Sequence, residues 1–295
     1  MTCATGFFVV NDAMMKVAMA DLPPFEVLFL RGIAATIICG LLLGVLGHGR
    51  GLRDGFSRPV LLRAGSETAS VLCYVVALAN MPIADVIAIC QTAPLMVVLA
   101  VALIGRQRIG PARLCLVGAG FLGAVLVAQP SANGVSASVV LAFATAGLIA
   151  VRDVVARGVR RQVPAFIVTF MTIVVVTGGS AVAMLLGESW VPPAPVHLAT
   201  LGAAGLLVML GHASIFLAYR EGEAAVVAPF FYSFAIWGVA AGLLVWGEVP
   251  NRLAMAGIAT IVASGLAVVL SDRARARRAS SASSRPVMRN GFTDG

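Results

Sequence analysis

Apolar runs long enough to cross a bilayer recur from one end of this 295-residue chain to the other. Each run holds roughly 17–24 residues, and about 20 helical residues cover the ~30 Å hydrocarbon core of a membrane. The composition agrees, because 60% of the residues are hydrophobic and only 12% are charged, about half the charged share of an average soluble domain. Lipid offers no partners for backbone polar groups, so a polytopic α-helical membrane protein is predicted.

Proline, glycine and polar runs divide the chain into ten predicted transmembrane helices. Their approximate bounds are 4–20, 25–46, 59–80, 83–104, 111–128, 136–157, 164–186, 196–219, 224–246 and 252–270. The first run has no basic region before it and no cleavage site after it, so we interpret it as a span rather than a signal peptide. Its length of about 17 residues is at the short limit for a span, which leaves open a true start some residues upstream.

The distribution of basic residues predicts the orientation of this bundle. With a cytoplasmic N-terminus, eighteen of the 21 Arg and Lys residues lie in or beside inner loops and in the C-terminal tail. Arg252 alone then faces outward, while Lys16 and Arg31 lie within spans. This is the positive-inside pattern, and it accounts for the net charge of +8 without a nucleic-acid partner. Both termini are therefore expected in the cytoplasm.

An internal repeat is visible when the chain is shifted by 141 residues. The matched pairs are Asp12 with Asp153, Lys16 with Arg157, Pro23 with Pro164, Phe25 with Phe166, Phe29 with Phe170, and, with small shifts, 83–86 with 223–226, Gly105 with Gly247 and Gly123 with Gly265. We predict a first five-helix repeat at 1–130, a second at 131–270, and a disordered basic cytoplasmic tail at 271–295.

Five helices per repeat place the two halves in opposite orientations in the membrane. Inverted repeats are typical of secondary transporters, in which the substrate site lies near the midplane between the halves. The repeat therefore favours alternating access, while an old duplication without transport remains the alternative interpretation.

The stretch Asn11-Asp12-Ala13-Met14-Met15-Lys16 places an acid and a base one turn apart inside the first span. A charged side chain at the centre of a span costs about 3 kcal/mol on insertion scales, and such residues usually face a protein interior or a watery cavity. Both charges are therefore candidate functional residues, although a neutralised pair that only fixes helix packing would give the same pattern.

Other polar and aromatic side chains fall within the predicted spans, and we expect them to line or gate a central cavity. The full candidate set is Asn11, Asp12, Lys16, Arg31, Glu67, Tyr74, Gln91, Thr92, His212, Tyr219, Tyr232 and Trp237. Glu67 and His212 are also candidates for proton coupling, because a carboxylate and an imidazole can carry protons. Glu67 paired with Arg63 and His212 as a packing residue are the alternatives.

Signals of catalysis and of bound cofactors are missing from the sequence. It contains no GxSxG, HExxH or Walker motif, no His/Cys cluster with metal-ligand spacing, and therefore no predicted catalytic residue, metal site or cofactor. The five cysteines lie in apolar runs without CxxC spacing and are interpreted as packing residues. Gly-rich stretches in helices five and ten, around Gly123 and Gly257, predict close helix packing or contact between the subunits of a homodimer.

Several motifs together resemble the EamA family of the drug/metabolite transporter superfamily. They are Asn11-Asp12-Ala13-x-x-Lys16, Phe29-x-Arg31, Tyr74 through Pro82-x-Ala84-Asp85 to Pro94-Leu95, Arg152-Asp153-x-x-x-Arg157, Ala218-Tyr219-Arg220-x-Gly222-Glu223-Ala224 to Ala228-Pro229-Phe230-x-Tyr232, and Trp246-Gly247-Glu248-x-Pro250. The resemblance implies ten spans, two inverted repeats and a central cavity in a bacterial inner membrane. It also implies a small-molecule metabolite as cargo, mostly for export. Gly105-Arg106 departs from the family's Gly-Glu after the fourth helix.

The predicted function is therefore a gradient-driven transporter of a small polar or amphoteric metabolite. The named alternative within this class is uptake of a nutrient such as riboflavin or S-adenosylmethionine. Outside it, a non-transporting membrane helper or sensor and a lipid-modifying membrane enzyme are the other hypotheses. The enzyme hypothesis needs a reactive cluster that the sequence does not contain.

Overall fold

The computed structural model describes residues 1–45, 48–104, 110–129, 135–159, 163–222 and 224–283. These residues form helices and connecting turns, and no β-strand occurs among them. The helices are α1 Thr2–Ala18, α2 Pro24–Val45, α3 Arg58–Asn80, α4 Ile83–Cys90, α5 Ala93–Ile104, α6 Pro111–Ala128, α7 Ala137–Ala156, α8 Ala165–Gly187, α9 Pro195–Glu221, α10 Ala224–Val227, α11 Ser233–Ala241 and α12 Arg252–Ser283, with a 3-10 helix at His48–Phe56.

Nine segments of the described chain are long and apolar enough to cross a membrane, namely Pro24–Val45, Arg58–Asn80, Ile83–Leu103, Pro111–Ala128, Ala137–Ala156, Ala165–Gly187, Pro195–Ala218, Pro229–Trp246 and Arg252–Ser271. Helix α1, with 17 residues, is slightly shorter than these nine and still within the usual range for a span. The prediction of an all-α polytopic membrane protein is confirmed, and α1 completes the predicted set of ten spans.

Local sequence signals explain where several of these helices begin. Pro59, Pro111 and Pro195 lie in the first turn of α3, α6 and α9, where the missing N–H removes no intrahelical hydrogen bond. The Ser136 side chain accepts a hydrogen bond from the Val139 amide at 3.3 Å and caps α7. Gly247 adopts a φ of +67°, the left-handed conformation that favours glycine at the end of a helix.

The packing of the spans has the pseudo-two-fold symmetry that an inverted repeat requires. The repeat makes α1 and α7, α2 and α8, and α3 and α9 counterparts of each other. Accordingly, the contact of α3 with α7 is matched by that of α9 with α1, and the contact of α2 with α9 is matched by that of α8 with α3. Helices α2 and α8, and likewise α6 and α12, pack directly on their own counterparts. On this axis the Thr36 and Thr177 hydroxyls lie 3.3 Å apart, and their numbers differ by 141. The inverted-repeat architecture is confirmed, whereas the repeat boundaries at 130 and 270 stay a prediction.

The fourth and ninth spans are interrupted rather than continuous. Helices α4 and α5 are separated at Gln91 and Thr92, and Pro94 follows in the first turn of α5. The ninth span consists of α10, a 3-10 turn over Ala228–Tyr232 that contains Pro229, then α11 and a π-helical turn over Gly242–Trp246. A proline lacks the amide that would continue the helical hydrogen bonds, so each span breaks beside its proline.

At its C-terminal end the described structure differs from the sequence-based expectation. Helix α12 continues to Ser283, whereas residues 271–295 were expected to be a disordered tail from residue 271 onward. The alanine and arginine content of residues 272–279 has high helix propensity, which accounts for the continuation. Residues 284–295 and the Gly105-Arg106 pair lie outside the described residues.

Glycines let α6 and α12 approach each other closely. A Cβ atom on Gly123 would lie 2.8 Å from the Gly257 carbonyl oxygen, whereas a Cβ on Gly118 would meet nothing within 4 Å. The predicted close packing of these glycines therefore occurs inside one chain, and the homodimer stays a prediction.

We expect Gly123→Val to destabilise the protein by roughly 2 kcal/mol, because the added carbons overpack the α6–α12 contact. The matched control Gly118→Val should change stability by less than about 1 kcal/mol. Thermal unfolding of the purified protein, followed by tryptophan fluorescence, measures both. Equal melting temperatures for the two variants would contradict the described helix contact.

Candidate functional site

Asp12 lies at the centre of a buried group of polar side chains contributed by α1, α2 and α3. Its side chain is 9% exposed, and its two carboxylate oxygens accept hydrogen bonds from Tyr74 Oη at 2.7 Å and from Asn11 Nδ2 at 2.9 Å. We call Asn11, Asp12, Arg31 and Tyr74 the central cluster. The structure thus brings together four residues of the predicted cavity set.

Arg31 supplies the positive charge of the central cluster. One guanidinium nitrogen, Nη1, lies 3.5 Å from Asn11 Oδ1, at the outer limit of a hydrogen bond. The Nε atom is buried and has no hydrogen-bond partner among the described residues. A guanidinium has five N–H donors, so Arg31 retains donors for another acceptor while its charge balances that of Asp12.

A second polar group lies deeper toward the predicted inner side, where α3 meets α7 and α8. Arg152 Nη1 donates to Glu67 Oε2 at 2.7 Å, and its neighbouring Nη2 lies 2.8 Å from Asp153 Oδ1. Arg63 Nη1 donates to the Thr172 hydroxyl at 2.8 Å. We call Arg63, Glu67, Arg152, Asp153 and Thr172 the inner cluster. The direct partner of Glu67 is thus Arg152 from the other half, and not Arg63 one turn away.

Lys16 lies apart from Asp12, although the two share one face of α1. Its Nζ donates to the Met81 carbonyl oxygen at 2.6 Å and lies 5.1 Å from the centre of the Trp246 ring. The carboxylates of Asp85 and Glu248 are close enough to interact with it electrostatically. We call Lys16, Met81, Asp85, Trp246 and Glu248 the outer cluster. A neutralised Asp12–Lys16 pair is therefore not what the structure contains.

His212 is held by α9 and by an aromatic neighbour. Its Nδ1 lies 2.7 Å from the Val208 carbonyl oxygen, to which only a protonated nitrogen can donate. The Phe8 ring packs edge-on against the imidazole, with 5.1 Å between ring centres. The same histidine lines a small cleft between α8 and α9 together with Phe166, Met209 and Phe216. Its contacts are those of a packed histidine with one ring nitrogen left as an acceptor.

The two interrupted spans contact each other at their breaks. Gln91 Nε2 donates to the Phe231 carbonyl oxygen at 3.3 Å, and the Thr92 hydroxyl donates to the Ile89 carbonyl oxygen at 2.7 Å. Tyr232 is 4% exposed, and its hydroxyl has no hydrogen-bond partner in the described part of the chain. Gln91 and Thr92 thus satisfy one backbone carbonyl beside each break, and the Gln91 contact joins the two halves.

Six members of the predicted set lie outside the three clusters: Gln91, Thr92, Tyr232 and His212, described above, together with Trp237 and Tyr219. Trp237 is 40% exposed and donates its indole N–H to the Thr2 carbonyl oxygen at 3.0 Å. Tyr219 lies in α9, but its side chain is outside the described residues. Sequence reasoning in turn omitted Arg152, Asp153, Asp85 and Glu248 from the candidates. The sequence did contain a signal for Asp153, because it is the repeat counterpart of Asp12.

Groups of three or more His, Cys, Asp or Glu side chains that would hold a metal ion are absent from the described residues. The arrangement instead offers separate positive and negative groups between two inverted halves. Such a site can bind a polar solute and be exposed first to one side of the membrane and then to the other.

Comparisons with known proteins agree with this architecture. The family profile described as "EamA-like transporter family" matches residues 1–129. The pseudopaline exporter CntI of Pseudomonas aeruginosa is 30% identical over 272 residues, which cover 90% of this chain and 93% of that protein. The riboflavin transporter of Rhizobium johnstonii is 29% identical over 225 residues, 75% of this chain and 72% of that protein. A solved crystal structure at 20% identity has the same fold, with a TM-score of 0.63 over 92% of this chain and 98% of the other.

The Glu67–Arg152 pair gives a direct test of the inner cluster. We expect Arg152→Met to destabilise the protein by roughly 2–3 kcal/mol, because Glu67 would keep a largely buried charge without its partner. The double variant Glu67→Gln with Arg152→Met should recover most of this loss. Thermal unfolding in detergent measures all three proteins.

Arg220 provides a matched control, since it pairs with Glu221 at 3.0 Å while both side chains are mostly exposed. Arg220→Met should cost less than about 1 kcal/mol, as is usual for surface ion pairs. If the double variant melts no higher than Arg152→Met alone, the assigned pairing is wrong.

Proposed function

This chain belongs to the EamA-like transporter family, and from that premise we propose that it moves a small polar or amphoteric metabolite across the bacterial inner membrane by alternating access. The chain is a multi-pass membrane transporter, as its relatives and its apolar helices require. The observation that supports the finer proposal is that buried charges join the two inverted halves, since Glu67 pairs with Arg152 and Lys16 contacts Trp246. Charged residues within spans are costly and commonly mark a substrate path.

The clusters outline a path through the bundle. In α3, Tyr74 of the central cluster is seven residues beyond Glu67 of the inner cluster, which corresponds to about 10 Å along the helix. The outer cluster lies beyond Tyr74, where α3 ends at Asn80 and Met81 follows. We propose that cargo binds at the central cluster and leaves past either the outer or the inner one.

The contacts of the central cluster support an amphoteric cargo. Arg31 has an unpartnered buried N–H, which suits a carboxylate or another anionic acceptor. Asp12 provides a negative charge in the same cluster, held by the neutral donors Tyr74 and Asn11. A solute that carries both charge signs would match both residues, whereas an uncharged solute would leave the charges without new partners.

The direction and orientation of transport follow from charge distribution and from the relatives. The excess of Arg on one side supports cytoplasmic N- and C-termini. Export is the direction that the name of one relative, the pseudopaline exporter, supports. Relatives named as riboflavin transporters keep nutrient transport as a second candidate, and a non-transporting helper remains the alternative outside this class.

Transport by the purified protein in liposomes tests the proposal. The probes are a panel of radiolabelled amino acids together with riboflavin, each measured by counterflow. We expect at least one amphoteric solute to accumulate, and Arg31→Gln to lower its rate at least tenfold, because a charge-assisted contact to the cargo is lost. Arg252→Gln is the matched control, since Arg252 is exposed at the start of α12 and should leave the rate unchanged.

Accumulation of riboflavin without any amphoteric solute would overturn the proposed cargo class and leave the transporter itself standing. Absence of counterflow for every compound that stabilises the protein against heat would favour the helper hypothesis instead.

Proton coupling is the proposed source of energy, with Glu67 and His212 as the residues that carry it. Glu67 is bound to Arg152 of the other half at 2.7 Å, so protonation of Glu67 would weaken a contact between α3 and α7. Protonation and movement of the halves would then be linked.

An uncoupler that collapses the pH gradient should therefore abolish uphill accumulation in vesicles while leaving downhill exchange intact. Glu67→Gln, which cannot ionise, should remove the response to the gradient. Uphill accumulation that persists after the uncoupler would exclude proton coupling.

A further inference from the structure

The outer cluster joins three parts of the chain at one end of the bundle. Lys16 extends from the last turn of α1. Met81 and Asp85 flank the turn between α3 and α4, Trp246 ends the π-helical turn of the ninth span, and Glu248 follows two residues later. Lys16 Nζ binds the Met81 carbonyl oxygen at 2.6 Å and lies 5.1 Å from the Trp246 ring centre. One side chain thus holds two turns that belong to opposite halves.

Electrostatic attraction strengthens this contact. Asp85 Oδ1 and Glu248 Oε2 are buried without a hydrogen-bond partner in the described structure, and both carboxylates attract the Lys16 ammonium. The attraction acts over a distance rather than through a direct ion pair, and a low-dielectric surrounding makes it stronger than it would be in water. Removing Lys16 would leave two like charges close together.

A buried apolar group contacts both this cluster and the central one. Val9 and Ala13 of α1 pack with Leu78 of α3 and with Ile83 and Ile87 of α4. Tyr74 of the central cluster and Trp246 of the outer cluster pack against the same group. Packed apolar side chains therefore connect the outer cluster to the central one.

The repeat counterparts of the outer cluster carry different charges. Lys16 corresponds to Arg157, Asp85 to Ala225, and Glu248 to Arg106. The acidic residue in the matching stretch 223–226 is Glu223, which lies two positions before Ala225. In sequence, the counterpart positions therefore carry two arginines and no carboxylate where the outer cluster has one lysine and two carboxylates, so the repeat does not preserve the charges of the outer cluster.

We propose that the outer cluster is a one-sided lock, in which Lys16 keeps the outer end closed and biases the resting transporter toward the state open to the cytoplasm. This inference rests on the proposed alternating access. It assigns Lys16 to gating rather than to cargo binding, and it makes Asp85, Glu248 and Trp246 the groups against which the lock closes. Opening outward requires Lys16 to leave the Met81 carbonyl and the Trp246 ring.

Cys90 can report whether a reagent reaches the region next to the central cluster. It ends α4, packs beside the apolar group that contains Val86 and Ile89, and is near enough to Asp12 to interact with it electrostatically. In a variant whose only cysteine is Cys90, with the other four changed to Ala, a charged membrane-impermeant methanethiosulfonate can be added to sealed membranes from either face. The labelling rate from each face is measured by mass spectrometry.

We expect Lys16→Met to raise the labelling rate of Cys90 from the outer face about tenfold, the factor that corresponds to losing one charge-assisted hydrogen bond. Lys16→Arg should stay within about twofold of the parent, because the charge and a donor remain. Arg252→Met, which removes an exposed cation on the same face, is the matched control. The rate from the inner face should fall or stay constant in every variant.

An unchanged outer rate in Lys16→Met, or an equal rise in Arg252→Met, overturns the lock. If Lys16→Met is not monodisperse, the double variant Asp85→Asn with Glu248→Gln decides by the same criterion, since it retains Lys16 and removes the attracting charges. Labelling needs no cargo, so failure of the lock with transport intact is distinct from failure of the proposed transport.

Discussion

The compensation of buried charges by side chains on other helices is the interaction on which this structure depends. A charge in a span is tolerated when other groups compensate it, and here the compensating groups come from different helices. Asp12 of α1 is held by Tyr74 of α3, and Glu67 of α3 is held by Arg152 of α7. Helix α3 therefore contributes to both clusters and connects the first half to the second. A rearrangement between the halves would have to break the Glu67–Arg152 contact, whereas the Asp12–Tyr74 contact lies within the first half.

Duplication provides a symmetric frame, and the charges on that frame are not symmetric. The Thr36–Thr177 contact joins residues 141 apart, and the repeat shift also relates Asn11-Asp12 to Arg152-Asp153 and Arg31 to Thr172. The counterparts occupy equivalent places in the fold but bind differently. Asp12 receives neutral donors, while Asp153 receives a guanidinium nitrogen. Substitutions within the repeat thus give equivalent positions different hydrogen-bond partners, without a change of fold.

Much of the architecture was predictable because helix-breaking residues, the lengths of the apolar runs and the internal repeat can all be read from position along the chain. The same information fixes the depth of a side chain but not the direction in which it points from its helix. For that reason the sequence placed Lys16 beside Asp12 and Glu67 beside Arg63, whereas Lys16 binds the Met81 carbonyl and Glu67 binds Arg152. Depth in the membrane also does not show which side chains cap a helix from a distant part of the chain. Glu188 accepts hydrogen bonds from the amides of Phe25 and Glu26 at 3.0 and 3.1 Å, and thereby ties the loop after α8 to the start of α2.

The difference between the two ends also bears on the direction of a transport cycle. At the predicted outer end, the Lys16 ammonium is attracted by the Trp246 ring and by the carboxylates of Asp85 and Glu248, so contact among these groups is favourable. In sequence, the counterpart positions Arg106 and Arg157 both carry cations, so the attraction among Lys16, Asp85 and Glu248 has no equivalent in the repeat. Under the proposed orientation and lock, the resting transporter would be closed outside. A cargo that binds from the cytoplasm would then meet the site in its resting state, and its binding energy would be available to weaken the outer contacts, which is the order of events that export requires.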